Sequence, residues 1–438
     1  MSENQFEDLI NNRIDVHSDL GNELVSKGFL IGNSCQEYLN KMQDNVFRMK
    51  EHLFCCTTLH IFVLTNACNL QCVYCQARTG DETEYLKMNA ETAQKAVDFA
   101  LSSPEKELYF EFQGGEPLLN FETLKFIIEY TELHRGKKKV HYDLVSNLLC
   151  LTDEMIEVLQ KYSVGIATSL DGSADVHNDN RPFPDGKASY EQVAGKIAGL
   201  RERGMNPGAI QTTTRKSLTH AKDIVDAYRL NGFDSIFIRP LTPLGSAAGN
   251  WNTIGYTPED YLTFYKSCFE YILEINKHGS FFAEQYASIF LRKIFQNEAG
   301  GYMDLRSPCG GAIGQMAYCF DGKIYTCDEG RMLAEMGDES FLLGNVYDNQ
   351  FAEAICSPVC KAMMSASYLD SIPECCDCVY SAYCGQCPAV NLALNQDVYP
   401  RHANNYKCTI HKGILDLLFS YIQKAEPWVM KTFETWVY

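Results

Sequence analysis

Residues 59–75 read Leu59-His-Ile-Phe-Val-Leu64-Thr-Asn-Ala-Cys68-Asn-Leu-Gln-Cys72-Val-Tyr74-Cys75. The run His60–Leu64 has the apolar, β-branched composition of a buried strand. It gives way at once to three cysteines in one short bend. Three thiolates at this spacing can wrap a single metal centre, yet they supply only three ligands. A [4Fe–4S] cluster ordinarily takes four cysteines, so such a loop leaves one iron open to a substrate or cofactor. The competing reading of the bare spacing is a structural zinc site or a set of unrelated buried thiols.

Outward from this stretch the chain repeats a pattern of apolar run, turn and amphipathic segment. Strands are predicted at His60–Leu64, Leu108–Phe112, Val140–Val145, Val164–Ser169, Ala209–Thr213 and Ser235–Ile238. Helices are predicted to start near Asn89, Phe121, Thr152, Ser189 and Leu218, with Asn89 and Thr152 as N-caps. Strand–helix alternation of this kind implies parallel βαβ units, in either a doubly wound sheet or a partial TIM-like barrel. Residues 1–56 read as a short helical extension (Phe6–Leu30, then Gln36–His52). Pro258–Gln296 reads as a long helical tract. A boundary at Gly300-Gly301 precedes a cysteine-dense region, 301–438, that closes with a helix over Ile410–Ala425. There Asp321-Gly322 is predicted as a two-residue hairpin turn.

The chain has 438 residues, room for two or three domains of roughly 100–200 residues each. Its 38 basic against 56 acidic residues give a net charge of −18, which argues against nucleic acid or an anionic membrane as partner. No apolar run approaches the ~18 residues of a membrane span. The polar, acidic N-terminus MSENQFEDLINNR is no signal peptide. A cytoplasmic protein is expected. There, 19 cysteines, an odd number, suit metal binding better than a disulfide framework.

The stretch CNLQCVYC, with Tyr74 before the last cysteine, resembles the cluster loop of radical S-adenosylmethionine (SAM) enzymes. Gln113-Gly114-Gly115-Glu116-Pro117, at the end of the second predicted strand, matches that superfamily's GGEP motif. The resemblance implies a partial (β/α)6 barrel over 57–300, with Cys68, Cys72 and Cys75 holding a [4Fe–4S] cluster whose fourth iron is chelated by SAM. Glu116 is expected to pair with the ammonium group of SAM. Ser146 and Asn147, Ser169 and Asp171, and Arg239 close later strands, where a β/α barrel collects its functional groups. They are expected beside the cofactor together with Tyr74, Gly114, Gly115 and Pro117. Asp171 and Arg239 also read as a structural ion pair. Asp171-Gly-Ser-Ala-Asp-Val-His177 onward to Arg181 and Tyr190 is similar to a segment of the peptide-maturing subgroup, with His177 fixing the loop.

The second cysteine region resembles the SPASM extension of radical SAM peptide maturases, except that its last pair, Cys384-Gly-Gln-Cys387, is one residue tighter than the usual spacing. The resemblance implies two auxiliary [4Fe–4S] clusters, three in all. Cys375, Cys378, Cys384 and Cys408 hold one; Cys309, Cys327 and Cys387 hold three corners of the other. Cys360 is favoured over Cys356 as its fourth ligand, with an open iron as the competing arrangement. Cys319 is expected to face away, on the argument that a two-residue turn pairs it with Ile324. Asp328, directly after Cys327, stands where sulfatase-maturing relatives carry a base, and it also reads as a turn aspartate. The tail from Cys375 to Phe419 is similar to the His-Xaa-Ser-type maturases.

The resemblance thus implies an enzyme that abstracts hydrogen from a ribosomally made precursor peptide to form a crosslink, thioether or oxidised residue. An external one-electron donor, such as a flavodoxin or ferredoxin, feeds it. Leader binding falls to Leu20–Leu30 or to a separate protein. The alternatives are an anaerobic sulfatase-maturing enzyme, a multi-cluster electron-transfer scaffold and a zinc-stabilised binding module.

Overall fold

The computed structural model describes residues 1–32, 34–78, 85–297, 302–400 and 405–437. The chain divides into two compact units, Met1–Phe54 with Asn297–Ala299, and Cys55–Gln296 with Gly300–Tyr438. The first carries helices Glu3–Ile10, Asp19–Ser26 and Cys35–Lys50. Each opens on a serine (Ser2, Ser18, Ser34) whose hydroxyl accepts a first-turn N–H, the N-cap role for which serine is suited.

The second unit is built on strands β1 (Leu59–Val63), β2 (Glu107–Gln113), β3 (Lys139–Val145), β4 (Gly165–Ser169), β5 (Gly208–Thr212), β6 (Ser235–Ile236), β7 (Ile238–Arg239), β8 (Ala283–Glu284), β9 (Gln315–Tyr318), β10 (Lys323–Tyr325) and β11 (Leu342–Asn345). Strands β1 to β5 and β7 pair in parallel in that order, with the intervening helices packed on the sheet, giving the partial β/α barrel. Alternation along β2 shows why: Leu108, Phe110 and Phe112 are buried under the helices, while Glu111 and Gln113 face the barrel interior. Asn89 and Thr152 cap helices Ala90–Leu101 and Asp153–Lys161 through their side chains, as expected.

Three details differ from the sequence reading. The sixth strand is split: Ser235–Ile236 pairs with β8, and only Ile238–Arg239 joins β5. The tract 258–296 is two helices, Pro258–Lys277 and Gln285–Gln296, broken at Gly279, whose φ of +87° suits a helix terminus. The hairpin at Asp321-Gly322 pairs Cys319 with Lys323 rather than with Ile324, leaving Phe320, Asp321 and Gly322 in the loop. Gly322 takes φ +85°, the left-handed position of the longer hairpin loop, and shifts the register by one.

The cysteine-dense segment extends the same sheet. Strand β9 pairs in parallel with the free edge of β1, Leu59 opposite Gln315, and β10 and β11 follow antiparallel. The predicted boundary at Gly300-Gly301 lies outside the described residues. Among those residues, no helix is long and apolar enough to cross a membrane.

Candidate active site

The C-terminal ends of the barrel strands open on one cavity of about 450 Å³. Cys68, Cys72, Tyr74 and Cys75 line it after β1, Gly114 to Glu116 after β2, Ser146 and Asn147 after β3, Ser169 on β4 and Arg239 on β7. Asp328 reaches it from the C-terminal segment. Pro117 and Asp171 do not line it; both are buried behind it.

The cysteine loop is held by backbone from several strands. Gly115 N–H donates to the Thr65 carbonyl (2.7 Å) and Glu116 N–H to that of Ala67 (2.8 Å). A Cβ on Gly114 would stand 2.5 Å from the Thr65 oxygen, and one on Gly115 2.2 Å from the Ala67 oxygen. The two glycines are therefore the condition for this close approach. Beyond β4, the Val73 N–H donates to Asn180 O and Gln71 N–H to Pro182 O, both at 2.9 Å. Asn250 Nδ2 donates to Val73 O at 2.9 Å and Ser246 N–H to Cys75 O at 2.8 Å.

Glu116 is a tie between strand ends. Its Oε1 accepts from Ser146 Oγ (2.8 Å) and Leu118 N (3.0 Å), and its Oε2 from Asn147 N (2.8 Å). Burial outweighs those bonds and raises its pKa. Asn147 in turn donates from Nδ2 to Asn69 Oδ1 (2.7 Å) and toward Cys68 Sγ (3.8 Å). Asp171 sits at the centre of a buried cluster. Tyr74 Oη donates to its Oδ2 (2.6 Å), Asn180 Nδ2 to the same oxygen (3.0 Å), and Arg181 Nε lies 3.2 Å from Oδ1. The ion-pair partner of Asp171 is thus Arg181 and not Arg239, whose Nη2 instead donates to Tyr302 Oη (3.3 Å). Arg181 Nη1 donates toward Cys72 Sγ at 3.8 Å. His177 Nδ1 accepts the Asp171 N–H (3.3 Å), so it fixes this loop.

Burial pushes the Cys68 thiol up to about 11 and that of Cys72 to about 12, the latter against the pull of Arg181. Bare thiols here stay protonated at neutral pH, and coordination to a metal displaces those protons. Cys75 is raised by burial while Arg78, Arg331 and Arg181 act in the opposite sense. Three sulfurs at one cavity wall, with N–H donors and guanidinium groups around them, fit an anionic iron–sulfur cluster.

In the same cavity, Arg331 Nε donates to Asp328 Oδ1 (2.8 Å) and its Nη2 to Gln113 Oε1 (3.2 Å), while Gln113 Nε2 donates to Glu111 Oε1 (2.5 Å). Burial, with Asp328 and Asp143 adding repulsion, pushes Glu111 to about 7. Sequence reasoning missed Glu111 and Gln113. Their two-residue alternation with Phe110 and Phe112 was the signal that places them inside the barrel. Arg331 and Glu329 sit on helix Asp328–Glu335 and Asp304 on the short 3-10 turn Met303–Leu305, which no sequence pattern tied to this cavity.

The remaining cysteines form two groups. Cys375, Cys378, Cys384 and Cys408 surround one small cavity. Cys309, Cys327 and Cys387 are buried in one apolar cluster with Met363 and Phe341. Cys360 belongs to a different cluster, its thiol raised to about 11 by burial with Cys356 and Cys56 as neighbours. The structure does not bring it to the trio: it packs in a different apolar cluster, although it shares a face of helix Pro358–Ser367 with Met363. Cys319 lies with Ile61 and Val63 in a third cluster.

Residues 62–230 match the Radical SAM superfamily. The chain carries a radical SAM domain, and it is a radical SAM enzyme, a family whose members use a [4Fe–4S] cluster and SAM. It is 24% identical over 297 residues to the cysteine-type anaerobic sulfatase-maturating enzyme of Clostridium perfringens, covering 66% of this chain and 77% of that protein. It is 24% identical over 384 residues to the serine-type enzyme of Bacteroides thetaiotaomicron (83% and 87%). Among solved structures, anSMEcpe with bound AdoMet superposes with a TM-score of 0.73 at 20% identity, covering 84% of this chain and 98% of that one. Streptococcus suis SuiB bound to precursor peptide SuiA superposes at 0.56 and 15% identity (90% and 87%). The fold is shared with these enzymes.

Proposed function

We propose that this protein is a radical SAM peptide maturase acting on a ribosomally made precursor peptide to form a crosslink, thioether or oxidised residue. The observation that carries this reading is that the three-cysteine loop, Glu111, Arg239 and Asp328 all line one cavity. A peptide segment in this cavity meets both the radical chemistry and these acid–base groups. Relatives that mature sulfatases, and a neighbour bound to its precursor peptide, support a peptide substrate. The likeness of the tail to His-Xaa-Ser-type maturases makes peptides of that kind the first to try.

In this reading Cys68, Cys72 and Cys75 hold the cluster that SAM caps. When bound, these groups supply a 5′-deoxyadenosyl radical that removes hydrogen from an unactivated carbon of the peptide. The chain's own residues position and enclose. Gly114 and Gly115 bring two backbones together; Glu116, Ser146 and Asn147 lock the ends of β2 and β3. Tyr74 and Asp171 act through Arg181 to set the loop, Ser169 and Arg239 line the cofactor side, and Pro117 opens the turn behind it. Asp328 is the expected base toward substrate, although it is engaged by Arg331; Glu111 shares the cavity and forms no ion pair among the described residues. Cys375, Cys378, Cys384 and Cys408 hold one auxiliary cluster and Cys309, Cys327 and Cys387 three corners of another, which makes three clusters in a cytoplasmic enzyme. An external one-electron donor of the flavodoxin or ferredoxin kind and a separate leader-binding protein complete the system.

Sulfatase maturation is the second reading, favoured by the extent of the sulfatase-maturating relatives. The test is anaerobic reconstitution with iron and sulfide, followed by dithionite, SAM and three peptide sets: Cys- and Ser-containing sulfatase peptides, and short peptides encoded beside this gene. Mass loss in the neighbouring peptide alone supports the first reading, and mass loss in a sulfatase peptide supports the second. A brown protein that forms no 5′-deoxyadenosine points to an electron-transfer scaffold, and a colourless, iron-free one to a zinc module.

A further inference from the structure

We infer that the Glu329 carboxylate is the fourth ligand of the auxiliary cluster held by Cys309, Cys327 and Cys387, and that this corner faces the substrate cavity. The inference rests on the reading that these three cysteines hold a cluster. Cys309, Cys327 and Cys387 are 1%, 1% and 2% exposed, and lie in one apolar pocket. Cys327 is the N-cap of helix Asp328–Glu335, its Sγ accepting the Gly330 N–H at 3.3 Å. The same first turn carries Asp328 and Glu329 in different directions. Asp328 turns to Arg331, whereas the Glu329 carboxylate lies within 4.8 Å of both Cys387 Sγ and the Asp304 carboxylate.

Cys387 Sγ and the carboxylates of Asp304 and Glu329 thus lie within 4.8 Å of one another, with Cys309 and Cys327 packed in the same cluster as Cys387 and the cations Lys407 and Arg239 beside the carboxylates. Two neighbouring carboxylates, with three thiols that lose their protons on binding metal, are offset in repulsion and desolvation by a positive centre. An iron–sulfur core supplies it. Asp304 is engaged, its carboxylate 2.8 Å from Lys407 Nζ. The Glu329 carboxylate bonds only its own backbone N–H and forms no hydrogen bond or ion pair with another described residue, so it is the carboxylate that can turn onto iron. The cysteine candidates lie elsewhere: Cys360 and Cys319 pack in other clusters. Glu329 and Asp304 line the main cavity whereas the three cysteines do not, which puts the carboxylate corner on the substrate side. Oxygen is a poorer match than thiolate for an iron–sulfur core, so this corner is the exchangeable one.

The test needs no substrate. In full-length C72A protein, which silences the SAM-binding cluster, E329Q and E329C are reconstituted with 57Fe and compared with the parent by EPR and redox titration. The expected result is that one of the two auxiliary signals changes its g-values in both variants while the other stays fixed. Its potential rises in E329Q, where an anionic ligand is lost, and in E329C the signal comes to resemble the all-cysteine one. Both auxiliary signals unchanged in E329Q and E329C would overturn the inference. The triple variant C309A/C327A/C387A separates the two levels. A loss of about four iron atoms per chain upholds the cysteine trio as ligands whatever Glu329 does. Full retention of iron sinks the trio and the inference with it.

Discussion

The N–H of Gly115 reaches the carbonyl of Thr65 across 2.7 Å, so the end of β2 lies directly on the cysteine loop. Gly115→Ala inserts a methyl 2.2 Å from the Ala67 oxygen, against backbone that cannot swing aside. The variant is expected to lose about 1–3 kcal/mol of stability and most of its capacity to load the SAM-binding cluster. Thermal melting and visible absorbance after reconstitution report both, and a normally loaded variant would show that the contact is not needed.

Cys72 is the middle thiol of the loop and the one approached by Arg181. Cys72→Ala is expected to abolish formation of 5′-deoxyadenosine from SAM under dithionite while the auxiliary clusters still load. Cleavage at the wild-type rate, read by liquid chromatography, would mean the site is misplaced.

Asp171 and Arg181 are a buried ion pair, with side chains 0% and 11% exposed. Asp171→Asn keeps the shape and removes the anion, leaving the guanidinium buried beside Tyr74. A loss of about 3–5 kcal/mol is expected, measured by urea denaturation. A loss below about 1 kcal/mol would mean that solvent screens the pair.

Glu111 has its pKa raised from 4.5 to about 7, chiefly by burial. The folded chain holds this proton where the unfolded chain has already released it. Its contribution is therefore favourable at low pH and is lost as pH rises from about 4.5 to about 7. Glu111→Gln removes that dependence, and the variant should gain on the wild type across this window by about 3 kcal/mol. Parallel pH trends in denaturation of the two proteins would count against the assignment.

Much of this was readable in advance, and the reasons differ from residue to residue. The strand-ending positions Gly114, Ser146, Ser169 and Arg239 were legible because alternation locates a strand, and a parallel β/α barrel delivers every strand end to one rim. Asp171 was legible as a residue but not in its partner. Arg181, ten residues on, reaches it only because helix Ala174–Asn180 folds the chain back. Nearness in sequence did not place Cys360: its thiol neighbours are Cys356 and Cys56, and it packs in a different cluster from the trio.

By itself the order of residues determined the parallel α/β architecture, the three-sulfur loop after the first strand and the glycines that let a second backbone touch it. These follow from local chemistry: side-chain alternation, turn propensity and ligand spacing act within a few residues. Only the tertiary structure decided that β9 closes onto the edge of β1, that Glu111 faces the cavity near Asp328, and that Cys309, Cys327 and Cys387 share one pocket with Glu329 while Cys360 does not. Those relations join residues far apart in the chain, and they are set by which apolar faces bury against each other, a choice made by the fold as a whole.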